Sequence, residues 1–322
     1  MLFEALLGLF YWILYPFLCK MAEERSKLAG HLAAAGAYAI FGLNIVVNKD
    51  VANSGVVTPI AMFTLRAIGA ALLFWILSAF LPKEKVASGD MWKIALASFV
   101  GLFVPQLTFL KAITVATSID VSILGALTPV FTMFIAAFVL KEPLTFKKIF
   151  GVAVSFSGVF ILILNSAHFK GGVEHTTALG VVLLLLNTLS FATYLGVFRP
   201  LIERYSVVTF MKWMFLFSVL ISLPFSASDL MTMDYLAIPS KVAWEIGYVI
   251  VFATFIAYFL IPVGQKRIRP TLVGMYSYLQ PVIAVIISIV SGLDTLTPLK
   301  VIAGVLVFSG VVLVNRSRAA KA

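Results

Sequence analysis

Charge is scarce in this chain of 322 residues, since Asp, Glu, Lys and Arg together make up only 12% of it. Soluble domains carry about 25% charged and about 45–50% apolar residues. Here the hydrophobic residues reach 61%, and the mean hydropathy is +1.07. A protein core could not hide so many apolar side chains from water, so the composition excludes a soluble globular protein. Lipid is expected to cover much of the surface.

Cysteine and histidine are also rare. Cys19 is the single cysteine, which excludes a disulfide bond within the chain. The three histidines form no Cys/His cluster of the kind that holds a structural metal. We therefore expect no metal and no cofactor.

Acidic residues are missing from the middle of every long apolar run. Proton-driven carriers commonly bury such an acid, so proton coupling has little support from the sequence. Asp120, at the start of an apolar run, is the best remaining candidate. An acid that caps a helix N-terminus is the alternative interpretation, and the sequence favours it.

Ten apolar runs of spanning length follow Met21 in the sequence. A β-barrel would need alternating polar and apolar residues, which these runs lack, so helices are the expected spanning elements. We predict an all-α integral membrane protein with ten transmembrane helices. The runs lie at about 28–49, 57–81, 91–115, 117–140, 146–165, 177–199, 206–228, 242–265, 270–292 and 298–315.

Lysine and arginine are distributed unevenly among the connections between these runs. With the segment before the first run in the cytoplasm, 18 of them lie on the inner side and five on the outer side. The positive-inside rule therefore predicts a multi-pass protein of the cell (inner) membrane, with both ends of the ten-helix unit in the cytoplasm. This distribution accounts for the net charge of +10, so we expect no nucleic acid partner.

The N-terminal segment, residues 1–27, is apolar but lacks the basic region and the cleavage site of a secretory signal peptide. It is interpreted as a peripheral helix, an eleventh span or the result of a start codon assigned too early, because Met21 opens a typical cytoplasmic sequence. No function is assigned to it. A short basic tail at 316–322 is expected in the cytoplasm.

Two parts of the chain are similar to each other at an offset of 152 residues. Segment 127–159 aligns without a gap with 279–311, and eleven of the 33 positions are identical. The repeats, 28–165 and 177–315, each hold five apolar runs. Because five is odd, the second repeat must enter the membrane in the opposite direction. Secondary transporters form their substrate site between two inverted halves and alternate its exposure, so the sequence predicts a transporter.

Both repeats contain a span with a central proline, an acid about a dozen residues later and a final glycine-containing span. The residues are SILGALTPVFTMFIAAFVLKEPLT with GVAVSFSGV in the first repeat, and GMYSYLQPVIAVIISIVSGLDTLT with GVLVFSGV in the second. The first repeat also contains YAIFGLNIVVNK at 38–49 and TLRA at 64–67. They resemble two tandem units of the EamA family of the drug/metabolite transporter superfamily, although Phe41 and Asp294 stand where that family usually has Trp and Glu. The resemblance implies transport of amino acids or related metabolites, more often as export.

Arg66 is the one clearly intramembrane cation in the sequence. A charge there costs about 2.5–3.5 kcal/mol on insertion scales, so Arg66 should face the protein interior or a wet cavity. It could bind a substrate carboxylate, extend toward the membrane surface or donate to carbonyl groups of a neighbouring helix. Lys212 lies nearer the inner boundary and can reach the surface more easily.

Uncharged polar and aromatic residues form stripes on the first span of each repeat. Gln106 and Tyr258 occupy equivalent positions at the offset of 152, and so do Thr128 and Gln280. Such groups suit a small amphiphilic solute, although the same residue types are common between packed helices. The predicted cavity residues are Tyr38, Phe41, Asn44, Arg66, Gln106, Thr128, Asn187, Phe191, Tyr194, Tyr258, Tyr276 and Gln280.

Pro129 and Pro281 lie near the middle of the fourth and ninth spans. Each removes a backbone hydrogen bond and frees a carbonyl on the preceding turn, so each is predicted to form either a hinge or a static kink. Glu142 and Asp294, at the ends of the same spans, are interpreted as residues that fix the adjoining turns. Small residues in the final span of each repeat indicate close helix packing, between the halves or in a homodimer.

Other membrane functions are weighed against transport. Membrane enzymes usually display clustered acids or His/Asp pairs near an interface, and this chain has neither, so we predict that it is not an enzyme. A channel-like pore is a further alternative, which the inverted repeat disfavours. The expected partners are a small-molecule solute and the lipid bilayer.

Overall fold

The computed structural model describes residues 27–128, 130–132, 134–135, 145–168, 176–268, 273 and 276–316. Across these ranges the chain is helical and has no β-strand. The all-α prediction is therefore confirmed. The N-terminal segment up to residue 26, Pro129 and Glu142 lie outside the described residues, and so does the tail from 317 onward.

Eleven helices are labelled in chain order. The first repeat contributes α1 Lys27–Ser54, α2 Pro59–Ala79, α3 Ser88–Thr114, α4 Ser118–Gly125 and α5 Phe146–His168. The second contributes α6 Ala178–Val197, the short α7 Arg199–Arg204, α8 Val207–Thr232, α9 Ser240–Arg267, α10 Leu279–Val290 and α11 Pro298–Arg316. A 3₁₀ turn, Tyr276–Tyr278, precedes α10.

Side-chain caps define where several of these helices begin. The hydroxyls of Thr58, Thr117, Thr177 and Ser206 each accept a hydrogen bond from a backbone N–H in the first turn that follows. Each cap satisfies one of the four backbone donors that a helix start leaves without a partner. Pro59 follows Thr58 directly, at a position where a missing N–H costs nothing.

Within the described ranges, six helices are long and apolar enough to cross a membrane, namely α1, α2, α3, α6, α8 and α9. Only 39–50% of their most apolar windows is buried inside the protein, so much of their apolar surface faces outward. These helices support a multi-pass membrane protein. The other four predicted spans coincide with α4, α5, α10 and α11, whose described apolar stretches are shorter, so the count of ten spans stays a prediction.

The helices pack in a repeated pattern. Helix α1 contacts α9 and α10, and α6 contacts α3 and α4. Helix α2 lies against α8, and α5 lies against α11. The two repeats are therefore interleaved, and each of these contacts joins a helix of one repeat to a helix of the other.

Two helices contain a π-helical segment. Phe99–Phe103 interrupts α3, and Val249–Ile256 interrupts α9. A π segment widens one turn of the helix and shifts the side chains that follow it, and such segments occur frequently at functional sites. Apolar periodicity alone does not predict these two segments.

Helices α5 and α11 approach each other closely. A Cβ atom built on Gly158 would lie 2.6 Å from the backbone oxygen of Ala303, and one on Gly310 would contact the backbone oxygen of Gly151. Ser155 Oγ donates to the backbone oxygen of Val307 at 3.2 Å. The small residues therefore allow contact between the halves, whereas their use in a homodimer stays a prediction.

Candidate functional site

A cavity of about 90 Å³ lies among helices of both repeats. Helices α1, α2, α3 and α4 line it from the first repeat, and α6, α9 and α10 line it from the second. Ten of the twelve predicted cavity residues border it, namely Tyr38, Phe41, Asn44, Arg66, Gln106, Thr128, Asn187, Phe191, Tyr258 and Gln280. Ile45, Pro105, Phe109 and Gly125 complete its wall.

The other two predicted residues, Tyr194 and Tyr276, do not border this cavity. Tyr194 is 1% exposed, and its ring packs against Gly101 in the π segment of α3, where a larger residue would collide with it. The Tyr276 hydroxyl lies 2.9 Å from Nδ1 of His31, near the start of α1. The stripe on α6 therefore extends beyond the cavity, and Tyr276 belongs to a contact at one end of the bundle.

Arg66 is held by the π segment of α9. Its Nε donates to Oγ1 of Thr254 at 2.9 Å, and that hydroxyl donates in turn to the backbone oxygen of Val249 at 2.7 Å. The latter bond connects residues five apart, the spacing of a π-helix. Only 1% of Arg66 is exposed, so its side chain does not extend to the membrane surface. The partner of its Nε is a hydroxyl group and not a backbone carbonyl.

The guanidinium group of Arg66 is incompletely satisfied. Its Nη1 is buried and has no hydrogen-bond partner among the described residues. No Asp or Glu in the described ranges forms an ion pair with it, and none lines the cavity. A buried cation without a partner is costly, so this site favours an anionic group of a bound molecule. A carboxylate can accept two parallel N–H bonds from such a group.

Polar side chains on other helices provide uncharged hydrogen-bonding groups. Gln106 Nε2 donates to the Tyr258 hydroxyl, which joins α3 to α9. Asn187 Nδ2 donates to the backbone oxygen of Pro105 at 2.6 Å, which joins α6 to α3. Asn44 Oδ1 accepts from Asn48 Nδ2 at 2.6 Å within α1. These bonds fix polar groups of both repeats around one cavity.

Aromatic rings form another part of the wall. The ring centroid of Phe41 lies 6.0 Å from that of Tyr38 and 5.6 Å from that of Tyr258, both in edge-to-face geometry. The ring centroid of Phe191 lies 6.5 Å from that of Tyr258, also in edge-to-face geometry. Edge-to-face pairs of this kind stabilise the wall and hold the rings in place. The cavity thus combines one cation with rigid apolar surfaces.

Pro281 lies in the first turn of α10, immediately after Gln280. A proline in a first turn breaks no intrahelical hydrogen bond, so within the described residues it does not kink the middle of a continuous helix. Gly42 of α1 packs closely against the backbone just before Pro281. A Cβ atom built on Gly42 would lie 2.8 Å from the backbone oxygen of Gln280. The hinge role of Pro281 stays a prediction, and Pro129 lies outside the described residues.

Sequence reasoning missed Thr254, the residue that anchors Arg66. Thr254 lies in the π segment of α9, where the constant spacing of an α-helix does not apply, so the residue pattern carried no signal for it. Lys212 lies apart from the cavity, since its Nζ donates to Ser78 Oγ at 2.8 Å and lies 5.0 Å from the centroid of the Trp75 ring.

The Gln106–Tyr258 bond should contribute measurable coupling between the repeats. In a double-mutant cycle with Gln106→Leu and Tyr258→Phe, we expect a coupling energy of about 0.6–1.5 kcal/mol in thermal unfolding. Tyr248→Phe provides a control on the same helix, because its hydroxyl donates to the backbone oxygen of Ile40 at 3.2 Å instead. Additive effects of the first pair would contradict a direct bond.

Comparisons with known proteins agree with this architecture. A family model described as the EamA-like transporter family matches residues 28–164 and 178–316. The uncharacterized transporter YetK of Bacillus subtilis (strain 168) is 25% identical over 268 residues, which cover 82% of this chain and 80% of YetK.

Two further proteins are similar over different parts of the chain. A probable terminal-alkyne amino-acid exporter of Streptantibioticus cattleyicolor is 28% identical over 201 residues, covering 61% of this chain and 63% of the exporter. A protein of known crystal structure superposes with a TM-score of 0.62 at 17% identity, covering 90% of this chain and 98% of that one, which shows a shared fold. With a family model matched over both repeats, the chain belongs to the EamA-like transporter family.

Proposed function

We propose that this protein is a secondary transporter that moves small solutes with a carboxylate group, such as amino acids or related metabolites, out of the cell. The observation that carries the proposal is Arg66, a buried guanidinium whose Nη1 has no partner in the described part of the chain, on the wall of a cavity formed by both repeats. An anionic group of a solute would supply the missing acceptor. The aromatic wall formed by Phe41, Phe191 and Tyr258 would contact the apolar part of that solute.

Contacts between equivalent residues support an inverted repeat and therefore alternating access. Gln106 and Tyr258 differ by 152 positions and bond to each other, and Ser155 and Val307 differ by the same number and are also bonded. In an arrangement with a two-fold axis, residues near the axis meet their own equivalents. These pairs are consistent with such an axis in the plane of the membrane.

The helix contacts and the π segments agree with the same relationship. By position in the two repeats, α1 corresponds to α6 and α3 corresponds to α9. The contact of α1 with α9 is therefore equivalent to that of α6 with α3, and both contacts are present. The contact of α1 with α10 becomes that of α6 with α4, which is also present. The π segment at 99–103, moved by 152 positions, falls within the π segment of α9. Two halves related in this way can expose the cavity to each side in turn.

Topology and direction form part of the proposal. Ten spans, with both ends of the ten-helix unit in the cytoplasm, agree with the distribution of Lys and Arg. The amino-acid exporter among the similar proteins supports an outward direction. Amino acids also fit a small cavity with a single fixed cation.

Solute counterflow in proteoliposomes tests the proposal. The full chain is reconstituted and loaded with members of a panel of amino acids, and exchange of labelled solute is followed. Each amino acid is paired with the amine that lacks its carboxylate, so that only the anionic group differs. We expect exchange for a subset of the amino acids and none for their amines. Failure of the whole panel with correctly folded protein would contradict the proposal.

A further inference from the structure

A second group of buried charged residues lies where α3 joins α4 and where α10 joins α11. Lys300 Nζ lies 2.7 Å from Asp294 Oδ1, and both side chains are nearly inaccessible to solvent. The same Nζ donates to Thr117 Oγ1 at 3.0 Å. Asp294 Oδ2 accepts from the backbone N–H of Ile119 at 3.0 Å. We call this end of the bundle the latch, defined by Thr117, Asp120, Thr176, Asp294 and Lys300.

Asp120 lies in the latch but does not cap its own helix. Thr117 is the N-cap of α4, because its Oγ1 accepts from the backbone N–H of Asp120 at 3.3 Å. Asp120 therefore lies in the first turn of α4, as predicted, but Thr117 and not Asp120 supplies the capping hydrogen bond. Its Oδ2 instead accepts from Thr176 Oγ1 at 2.5 Å, and its Oδ1 is buried without a partner among the described residues. Ser118 Oγ, two positions earlier, is likewise buried and without a described partner.

Among the described residues, no charged side chain forms an ion pair with Asp120. Helix α11 contributes Lys300, which pairs with Asp294 of the preceding loop. Helix α1 contributes Lys49, whose Nζ donates to the backbone oxygen of Ile113 at 3.3 Å. Helix α6 contains no charged residue in its sequence, and Lys111 at the end of α3 is exposed. Among the described residues, the ammonium group of Lys300 is therefore bonded to Asp294 and not to Asp120.

An ionised carboxylate in such a place is costly. A buried charge that lacks a partner loses its hydration, and carboxyl groups in this situation bind a proton instead. Only 2% of Asp120 is exposed, and no ion pair to it is present in the described part of the chain. Protonation leaves a neutral carboxyl beside the balanced pair of Asp294 and Lys300. The geometry of the latch therefore suits a bound proton on Asp120.

We propose that Asp120 is a proton-binding site, occupied while the latch is packed and emptied when this end of the bundle opens to water. The latch joins parts of both repeats, since Asp294 bonds to the backbone of α4 and the Thr177 N–H bonds to the Val115 oxygen at 2.9 Å. Opening breaks these bonds and hydrates Asp120. The Oδ1–H bond then breaks, the oxygen keeps the electron pair, and the proton passes to water, because a hydrated Asp ionises at a pH near 4.

The second repeat has no acid at the position equivalent to Asp120. By the offset of 152, the position equivalent to Asp120 in the second repeat is Leu272, which cannot bind a proton. Closing the latch therefore binds a proton at Asp120. Closing the opposite end binds no proton at the equivalent position, which is Leu272. An asymmetry of this kind makes the equilibrium between the two closed states depend on pH.

Infrared difference spectroscopy tests proton binding directly and needs no transported solute. The full chain in liposomes is stepped from acidic to basic pH, and the C=O band of a protonated carboxyl group is followed. The wild type should show the band of a carboxyl group that loses its proton when the latch opens, and we expect Asp120→Asn to lack this band. Asp120→Glu should retain a carboxyl band at a shifted frequency. Persistence of an unchanged band in Asp120→Asn would overturn the proposal, and the Glu variant preserves the test if the Asn variant does not fold.

Asp50→Asn is the matched control, because it removes an acid near the same end of the bundle. Asp50 bonds to Lys241 and its side chain is 27% exposed, so it lies outside the latch. The control should retain the Asp120 band. A loss of that band in the control as well would assign the signal to general surface charge and contradict the proposal.

Exchange measured at equal pH on both sides provides a second readout. If solute exchange requires the latch to open, its rate rises with pH, by at most about tenfold per unit for a single proton. Asp120→Asn should make the rate insensitive to pH, and Asp50→Asn should preserve the dependence. An Asp120→Asn profile that follows the wild type would overturn the site. Failure of every variant to exchange solute would instead contradict the transport function, and the infrared result would stand independently.

Discussion

Replacing Arg66 with Gln is expected to lower the apparent affinity for carboxylate-bearing solutes by about 10- to 150-fold. Hydrogen bonds to charged groups contribute about 1.5–3 kcal/mol, and this range corresponds to that loss of binding. Gln keeps a polar side chain of intermediate length but has neither the charge nor the planar fork that matches a carboxylate. Counterflow with increasing concentrations of labelled amino acid measures the change.

The same substitution separates a ligand role from a structural one. Arg66 has no described counter-ion, so removing its charge should leave the thermal stability of the solute-free protein unchanged or increase it. If Arg66 only held helices together through Thr254, stability would fall and affinity would change little. Addition of solute should raise the unfolding temperature of the wild type but not that of Arg66→Gln.

Lys212→Gln is the control for loss of a positive charge near the membrane. Lys212 bonds to Ser78 and lies beside Trp75, away from the cavity. Replacing Lys212 should change the affinity for carboxylates by no more than about twofold relative to the wild type. Substitutions away from a site usually change free energies by less than about 0.5 kcal/mol, which corresponds to that factor. An equal loss of affinity in both variants would indicate a general effect of charge and would contradict direct binding by Arg66.

Much of the cavity could be predicted because polar residues are rare in the apolar helices. A polar side chain in a membrane span has few acceptable places, and an interior cavity is one of them. Asn44, Gln106 and Asn187 therefore stood out in the sequence, and the structure brings them to one cavity. The offset of 152 further paired Gln106 with Tyr258, which are in contact. That these residues bind solute stays a prediction.

The remaining details depend on backbone geometry that residue patterns do not encode. A π segment changes the angle between successive side chains, so a constant 100° per residue no longer identifies one face. Thr254 reaches Arg66 through such a segment, and Tyr194 fills the space opposite Gly101 in the other. The 3₁₀ turn before α10 likewise places Tyr276 against His31 and away from the cavity.

The Asp120 site illustrates a different limit of sequence reasoning. An acid in the first turn of a helix usually interacts with the free N–H groups there, so capping was the favoured interpretation. Thr117 occupies the cap instead, and Asp294 arrives from a loop 175 residues later in the chain to accept from Ile119. Only the tertiary structure shows that these two residues satisfy the helix end and that Oδ1 of Asp120 has no partner among the described residues.

Replacing Gly310 with Ala is expected to destabilise the protein by about 1–3 kcal/mol, the usual cost of overpacking a well-packed interior. The added methyl group would contact the backbone oxygen of Gly151 and the side-chain oxygen of Ser155, and backbone atoms cannot rotate away. Helix α11 must therefore move away from α5, which separates elements of the two repeats. Thermal unfolding in detergent measures the loss, and gel filtration reports whether the chain remains monodisperse.

Gly304→Ala is the matched control on the same helix. A Cβ there would lie 3.7 Å from the nearest side-chain atom of Ile123, an ordinary van der Waals contact. The control should be neutral or slightly stabilising, because Ala favours a helix by up to about 1 kcal/mol relative to Gly. The two variants make the same chemical change on one helix, so any difference between them reports the close contact of α11 with α5. Equal unfolding temperatures would mean that this contact does not hold the halves together.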